Sequence, residues 1–170
     1  MPPEELRGDR VLLRPAVEDD APALAAILAE PAVAPWWPDY DLERVRKDLD
    51  GEQVIVVDGA VAGWLFTTEE EDPQFPCVSF DIALGTAFQG HGYGSEALRV
   101  AIRHQIERGH ERFAIDPAAD NERAIRAYEA VGFKRVGILR RYERVADGVF
   151  RDGLLMDMLA EELRERGSEG

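Results

Sequence analysis

Several groups of residues in this sequence have types and spacings suited to chemistry. One is Gln89-Gly90-His91-Gly92-Tyr93-Gly94-Ser95. It lies between Val78–Leu84, whose alternation reads as a half-buried strand ended by Gly85, and a helical repeat of Ala97, Leu98, Val100, Ala101, Ile102 and Ile106 ended by Gly109. The leading amides of a helix have no intrahelical partners and carry partial positive charge, so a phosphate can rest on them. Gly90, Gly92 and Gly94 would clear side chains away and permit the positive φ angles that gather amides into one concavity. The same glycines also suit an ordinary turn, and Gly92-Tyr93-Gly94-Ser95-Glu96-Ala97 fits the alanine variant of a dinucleotide fingerprint. A further group, Asn121, Ala124 and Tyr128, stands at i, i+3 and i+7, on one face of a second helix. Its preceding strand, Arg112–Ile115, is expected to run parallel to Val78–Leu84 through a right-handed crossover. Asp81 occupies the middle of the earlier strand and Asp116 follows the later one.

Taken together, these residues carry a resemblance. Gln89, Gly92 and Gly94, then Asn121, Tyr128 and Gly132-Phe133, resemble the acetyl-coenzyme A core of the GNAT family of N-acetyltransferases, over about Arg10 to Leu159. A narrower resemblance, to the aminoglycoside 6'-N-acetyltransferases, rests on Asp116-Pro117, Asn121 to Arg126, Tyr128-Glu129, Trp36-Trp37 and Asp81. No match is found between Arg44 and Glu71.

The resemblance implies a GNAT fold: a mixed, mostly antiparallel sheet flanked by helices and splayed between its fourth and fifth strands, Val78–Leu84 and Arg112–Ile115. Acetyl-coenzyme A would be the co-substrate, its pantetheine paired with Ile82, Ala83 and Leu84. Its phosphates would lie on Gln89, Gly90, His91, Gly92, Tyr93, Gly94 and Ser95, with Asn121, Ala124 and Tyr128 lining the same site. Attack of an amine on a thioester needs a group to take the ammonium proton and one to stabilise the leaving thiolate. Asp81 and Tyr128 are expected in those roles. Asp39 and Asp116 would bind further amines, and Trp36 and Trp37 would stack on the acceptor, since aromatics among acids in a proline-rich loop suit an amphipathic cation.

Composition sets limits on partners. With 34 acidic against 20 basic residues, the net charge of −14 repels a phosphate backbone and attracts polycations. Nucleic acid is not expected as a partner. No window approaches the roughly 18 apolar residues of a membrane span, and the start is unlike a basic signal peptide, so a cytoplasmic protein is expected. Cys77 stands alone, and His91, His104 and His110 lack ligand spacing, so neither a disulfide nor a metal is expected.

The elements that must position these residues are read as follows. Val11–Arg14 is a strand, Ala23 to Leu28 a helix behind Glu18-Asp19-Asp20, and Leu42–Leu49 a second short helix. Asp58-Gly59 joins Gln53–Val57 and Val61–Phe66 as a hairpin, and Ala146-Asp147-Gly148 joins the closing strands Arg135–Glu143 and Val149–Met158. The acidic run Glu69 to Asp72 is a solvated loop or an acidic lip for a cationic substrate. Residues 1–170 are expected to form one acyltransferase domain, frayed over 1–7 and 161–170.

The predicted function is transfer of acetyl from acetyl-coenzyme A to a small cationic amine, foremost the 6'-amine of an aminoglycoside antibiotic, which would make the chain a resistance enzyme. Alternatives are a protein N-terminus or another small amine, a non-catalytic acyl-coenzyme A module, and a dinucleotide oxidoreductase. The last has Asp116 about twenty residues past the glycines in its favour, but no room for a substrate domain. The sequence leaves open the acceptor, the acyl length and whether the protein is a monomer or a homodimer.

Overall fold

The computed structural model describes residues 4–165. The strands are β1 (Leu6–Arg7), β2 (Val11–Pro15), β3 (Gln53–Val57), β4 (Ala60–Glu69), β5 (Val78–Leu84), β6 (Arg112–Ile115), β7 (Lys134–Ala146) and β8 (Val149–Leu159). The α-helices are α1 (Ala21–Leu28), α2 (Leu42–Lys47), α3 (Tyr93–Glu107) and α4 (Glu122–Val131). Contacts gather the described residues into two compact units. One holds the residues up to Phe66 with Ile82–Ala101, and the other holds Thr67–Asp81 with the residues from Ile102 onward. β4, β5 and α3 therefore each contribute residues to both units.

In the first unit β1, β2, β3 and β4 are antiparallel neighbours, and β5 follows β4 in the sheet. The β3–β4 hairpin turns on Asp58 and Gly59, at φ 49° and 79°, the left-handed pair that a two-residue turn between twisted strands needs. Gly63 lies so close to β5 that a Cβ there would stand 2.2 Å from the Ala83 carbonyl oxygen, so only glycine allows that approach. Helix α1 is anchored ahead of its first turn: Arg14 grips Asp20 with two bonds of 2.8 Å, and Asp20 also accepts from the Val17 amide. The core joins Leu24, Ile27 and Leu28 of α1 to Val45, Val54, Trp64 and Ala83.

The second unit is built on β5, β6, β8 and β7 in that order. Strand β5 runs parallel to β6 through Val78 with Phe113 and Ser79 with Ala114, while β6 with β8 and β8 with β7 are antiparallel. That parallel ladder covers only the beginning of β5, as a sheet splayed between these strands requires. Phe80, Phe113, Ile125, Met156 and Met158 are buried. Helix α4 is capped at its start by Asn121, whose Oδ1 accepts from the Ala124 amide at 3.3 Å, and stops at Gly132, φ 129°.

Two expectations about the ends are corrected. Leu6–Arg7 pairs with Leu12 and Leu13 instead of fraying, because its backbone completes the free edge of β2. Ala160–Glu162 forms a 3-10 turn, followed by a bond from the Arg164 amide to the Val131 carbonyl. The remaining residues assigned to the frayed ends, 1–3 and 166–170, lie outside the described residues. Among the described residues no helix is long and apolar enough to cross a membrane, and no group of three or more His, Cys, Asp or Glu could hold a metal.

Candidate active site

The residues singled out in the sequence fall into two groups, one in each unit. In the first unit, Gln89 to Ser95 forms the turn into α3. Gly90 and Gly92 both stand at φ 81°, the left-handed conformation expected of a phosphate cradle. Gly94 does not: it is a helical residue, and a Cβ there would make ordinary contacts of 3.8 and 3.9 Å with Leu84 and Ile82. The Gln89 side chain donates to the Leu84 carbonyl at 2.8 Å, tying the turn to the end of β5. His91 and Gly92 are exposed, while Ala83 is buried in the core, so Ala83 offers a ligand only its backbone.

In the aromatic loop the two tryptophans are both half-buried. Trp37 packs against the first unit's core, with its ring centroid 5.7 Å from Phe66 and 5.4 Å from Tyr40. Its apolar ring gains more from that packing than from solvent. Trp36 is half-buried, and Asp39 is exposed at φ 61°.

The second unit brings Asp81, Asp116 and Tyr128 together with two residues that the sequence did not single out, Tyr142 and Glu143. Asp81 ends the second unit's share of β5 and is followed directly by Ile82–Leu84. It reaches solvent, yet protein crowds its carboxylate. Burial, then the charges of Asp116 and Glu143, push its pKa up to about 7. Asp116 is also pushed up, chiefly by burial and against the hydrogen bond it receives from the Tyr142 hydroxyl. Tyr142 itself is raised to about 12, first by that bond to Asp116 and then by burial. Tyr128 is 9% exposed, and burial followed by the charges of Asp81 and Asp116 keeps its phenol protonated well above the ordinary tyrosine range. This cluster of side chains is therefore acidic, with one carboxyl poised near neutrality and one phenol held as a hydrogen-bond donor.

Strand β7 delivers Tyr142 by an irregularity. Leu139 pairs with Gly153 and Glu143 with Arg151, so Arg140, Arg141 and Tyr142 bulge opposite Asp152. Arg141 is held at φ 49° and its amide donates to Asp152 Oδ1 at 2.8 Å. A Cβ at Gly153 would stand 2.8 Å from Tyr142 Cδ2, so this glycine makes room for the ring that reaches Asp116. A Gly within an otherwise regular strand pattern was the available signal, although nothing in it names Tyr142. Asn121, expected at the cofactor, caps α4 with its side-chain oxygen.

The acidic run ahead of β5 is partly structural: Glu69 pairs with Arg108 and lies 3.6 Å from His110, and Asp72 accepts from the Gln74 amide. Cys77 Sγ receives a bond from Arg112 at 3.0 Å and is half-buried.

Comparison with known proteins gives these features a family. The model of the acetyltransferase (GNAT) domain matches residues 10–134. Mycothiol acetyltransferase of Corynebacterium aurimucosum is 29% identical across 58% of this chain and 38% of its own length. The N-alpha-acetyltransferase RimI of Mycobacterium tuberculosis is 36% identical across 44% of this chain and 45% of its own. The chain thus spans less than half of either of these relatives. Among solved structures, Mycobacterium smegmatis RimJ in complex with CoA-disulfide superposes with a TM-score of 0.80 at 25% identity, over 95% of this chain and 88% of that one. The mixed sheet flanked by helices is accordingly a GNAT fold. With the matched model covering more than half of its length, this chain belongs to the acetyltransferase (GNAT) domain family.

Proposed function

We propose that the chain acts as one acyltransferase domain that moves an acetyl group from acetyl-coenzyme A to a primary amine. The observation that carries this reading is the convergence in the second unit of Asp81, near pKa 7, with the protonated and buried Tyr128. Asp81 takes the ammonium proton, and its carboxyl, raised to about 7, narrows the gap to the roughly 8–10 of ordinary amines. The freed lone pair forms the C–N bond as the C–S bond breaks, the electron pair departs on sulfur, and the surplus proton on the acylated nitrogen passes to the departing thiolate. Tyr128 donates a hydrogen bond to that thiolate. Because its pKa lies well above that of an ordinary thiol, about 8.5, the phenol stabilises the leaving group without surrendering its proton. The turn with Gly90 and Gly92 in the left-handed conformation fits the cofactor's phosphates, and β5 from Ile82 to Leu84 fits the pantetheine.

The acceptor has two readings. The names of the relatives support mycothiol chemistry or a protein N-terminus, the alternative raised from sequence, and lend nothing to the aminoglycoside resemblance. One observation still favours an acceptor with more than one positive charge: Asp116 acts on Asp81 and is a carboxylate for a second ammonium group, whereas Glu143 is already paired with Arg151 at 2.9 Å. Thiol release from acetyl-coenzyme A, measured across peptide N-termini, monoamines and kanamycin, tests both. Release with peptides or monoamines alone removes the aminoglycoside reading and keeps the transferase. No release with any amine, in a protein that binds the cofactor, leaves the acyl-coenzyme A module.

A further inference from the structure

The turn that carries Gly90 and Gly92 is gripped by a residue remote in sequence. Arg10, just ahead of β2, donates through Nη1 to the His91 carbonyl oxygen at 2.8 Å and through Nε to Glu96 Oε1 at 2.9 Å. Its guanidinium carbon stands 4.7 Å from the centroid of the Tyr93 ring, and its Nη2 is 3.3 Å from where a Cβ on Gly92 would be. The same guanidinium therefore meets His91, Gly92 and Tyr93 in succession. Glu96, in the first turn of α3 and 7% exposed, fixes Arg10 in return. Its Oε2 accepts from the Arg10 and Val11 amides, both at 2.8 Å. Burial raises the Glu96 carboxyl, but these donations outweigh it and leave the group below its ordinary value, ionised and matched to the guanidinium.

A peptide plane joins this grip to the cofactor site. In a trans peptide the C=O of one residue and the N–H of the next point in opposite directions. Holding the His91 carbonyl toward Arg10 therefore aims the Gly92 N–H away from the guanidinium. A free turn rich in glycine would sample orientations that present carbonyl oxygens to an incoming phosphate and repel it. The missing side chain at Gly92 serves the same end, since it leaves room for the Arg10 fork as well as allowing φ 81°.

We propose that Arg10, locked by Glu96, is a positioning residue for the phosphate turn and sets the affinity for coenzyme A by fixing the His91–Gly92 peptide. This rests on the acyl-coenzyme A reading of the turn. The test uses the full chain with Arg10→Lys and Arg10→Met. Lysine keeps the charge but presents a single ammonium that cannot reproduce the fork to Glu96 and His91. Calorimetry with coenzyme A should show both variants weakened roughly tenfold, the scale of one or two lost charge-assisted bonds. In turnover, KM for acetyl-coenzyme A should rise by the same factor while kcat at saturation stays within about twofold. Amide hydrogen exchange of residues 90–95 in the unliganded protein should speed up in both variants, with β3 unaffected. Wild-type affinity in Arg10→Lys would mean that charge suffices, and would overturn the proposal, as would unchanged exchange in the turn. If wild-type protein does not bind coenzyme A, the cofactor reading falls, and the exchange measurement still decides whether Arg10 fixes the turn. Should Arg10→Met fail to fold, Arg10→Lys, which keeps a stem and a donor, carries the comparison.

Discussion

Replacing Asp81 by Asn should make the protein more stable and less active, with a pH dependence that identifies the cause. The Asp81 carboxyl titrates at about 7 against an ordinary 3.8. At roughly 1.36 kcal/mol per pH unit that gap corresponds to about 4 kcal/mol. Because Asp81 reaches solvent, screening reduces the expected effect to about 1–2 kcal/mol. The sign follows from proton linkage. The folded protein holds this proton more tightly than the unfolded chain, so its stability declines as pH rises from about 4 to about 7 and is flat beyond. Asparagine cannot ionise and removes the decline. For a chain of this size each kcal/mol moves Tm by about 2–4 °C, so Asp81→Asn should melt about 2–8 °C above wild type at pH 8, with the difference shrinking toward pH 5. Calorimetric melts at several pH values read this directly. On the same samples kcat should fall by roughly 10²–10⁴, the usual yield of a general base, with KM for acetyl-coenzyme A little changed. A Tm difference that is absent, or equal at both pH values, would refute the claim that Asp81 is a destabilised carboxyl.

Other perturbations test the surrounding parts. Tyr128→Phe should lower kcat by roughly 10²–10³, the cost of one lost donor to a developing anion, and should leave coenzyme A affinity unchanged by calorimetry. Gly153→Ala would place a methyl 2.8 Å from the Tyr142 ring and push its hydroxyl off Asp116; steady-state kinetics should show a severalfold higher KM for the amine with a smaller change in kcat. Asp20→Ala removes both carboxylate bonds to Arg14 and one to the Val17 amide, and urea unfolding should register a loss of about 2–4 kcal/mol. The Arg14 bond holds the Asp20 pKa below its ordinary value, so this loss should be full at neutral pH and fade as acid protonates the carboxylate in the folded protein.

Local signals made much of this protein legible in its sequence. Asp58-Gly59 specified a tight hairpin because a two-residue turn between twisted strands demands left-handed residues, and both adopt that conformation. Gly90 and Gly92 announced the turn into α3 for the same reason, and Asp81 could be set beside Ile82–Leu84 because they share one strand. These features depend on neighbours in sequence, where backbone sterics and side-chain alternation act directly. Tertiary structure alone decided what is brought together across long separations. Nothing near Arg10 marks it as the residue that grips His91 and Glu96; only folding β2 beside the start of α3 does so. Trp36 and Trp37 read alike in sequence, yet it is Trp37 whose ring packs against Phe66 and Tyr40. The bulge after Leu139 was invisible to strand periodicity, and with it the placing of Tyr142 on Asp116. The charge on Asp81 shows the same division. Its carboxyl is an ordinary one in the chain, and it titrates near neutrality because the fold crowds it with protein and sets it beside the charges of Asp116 and Glu143, which no run of neighbouring residues could specify.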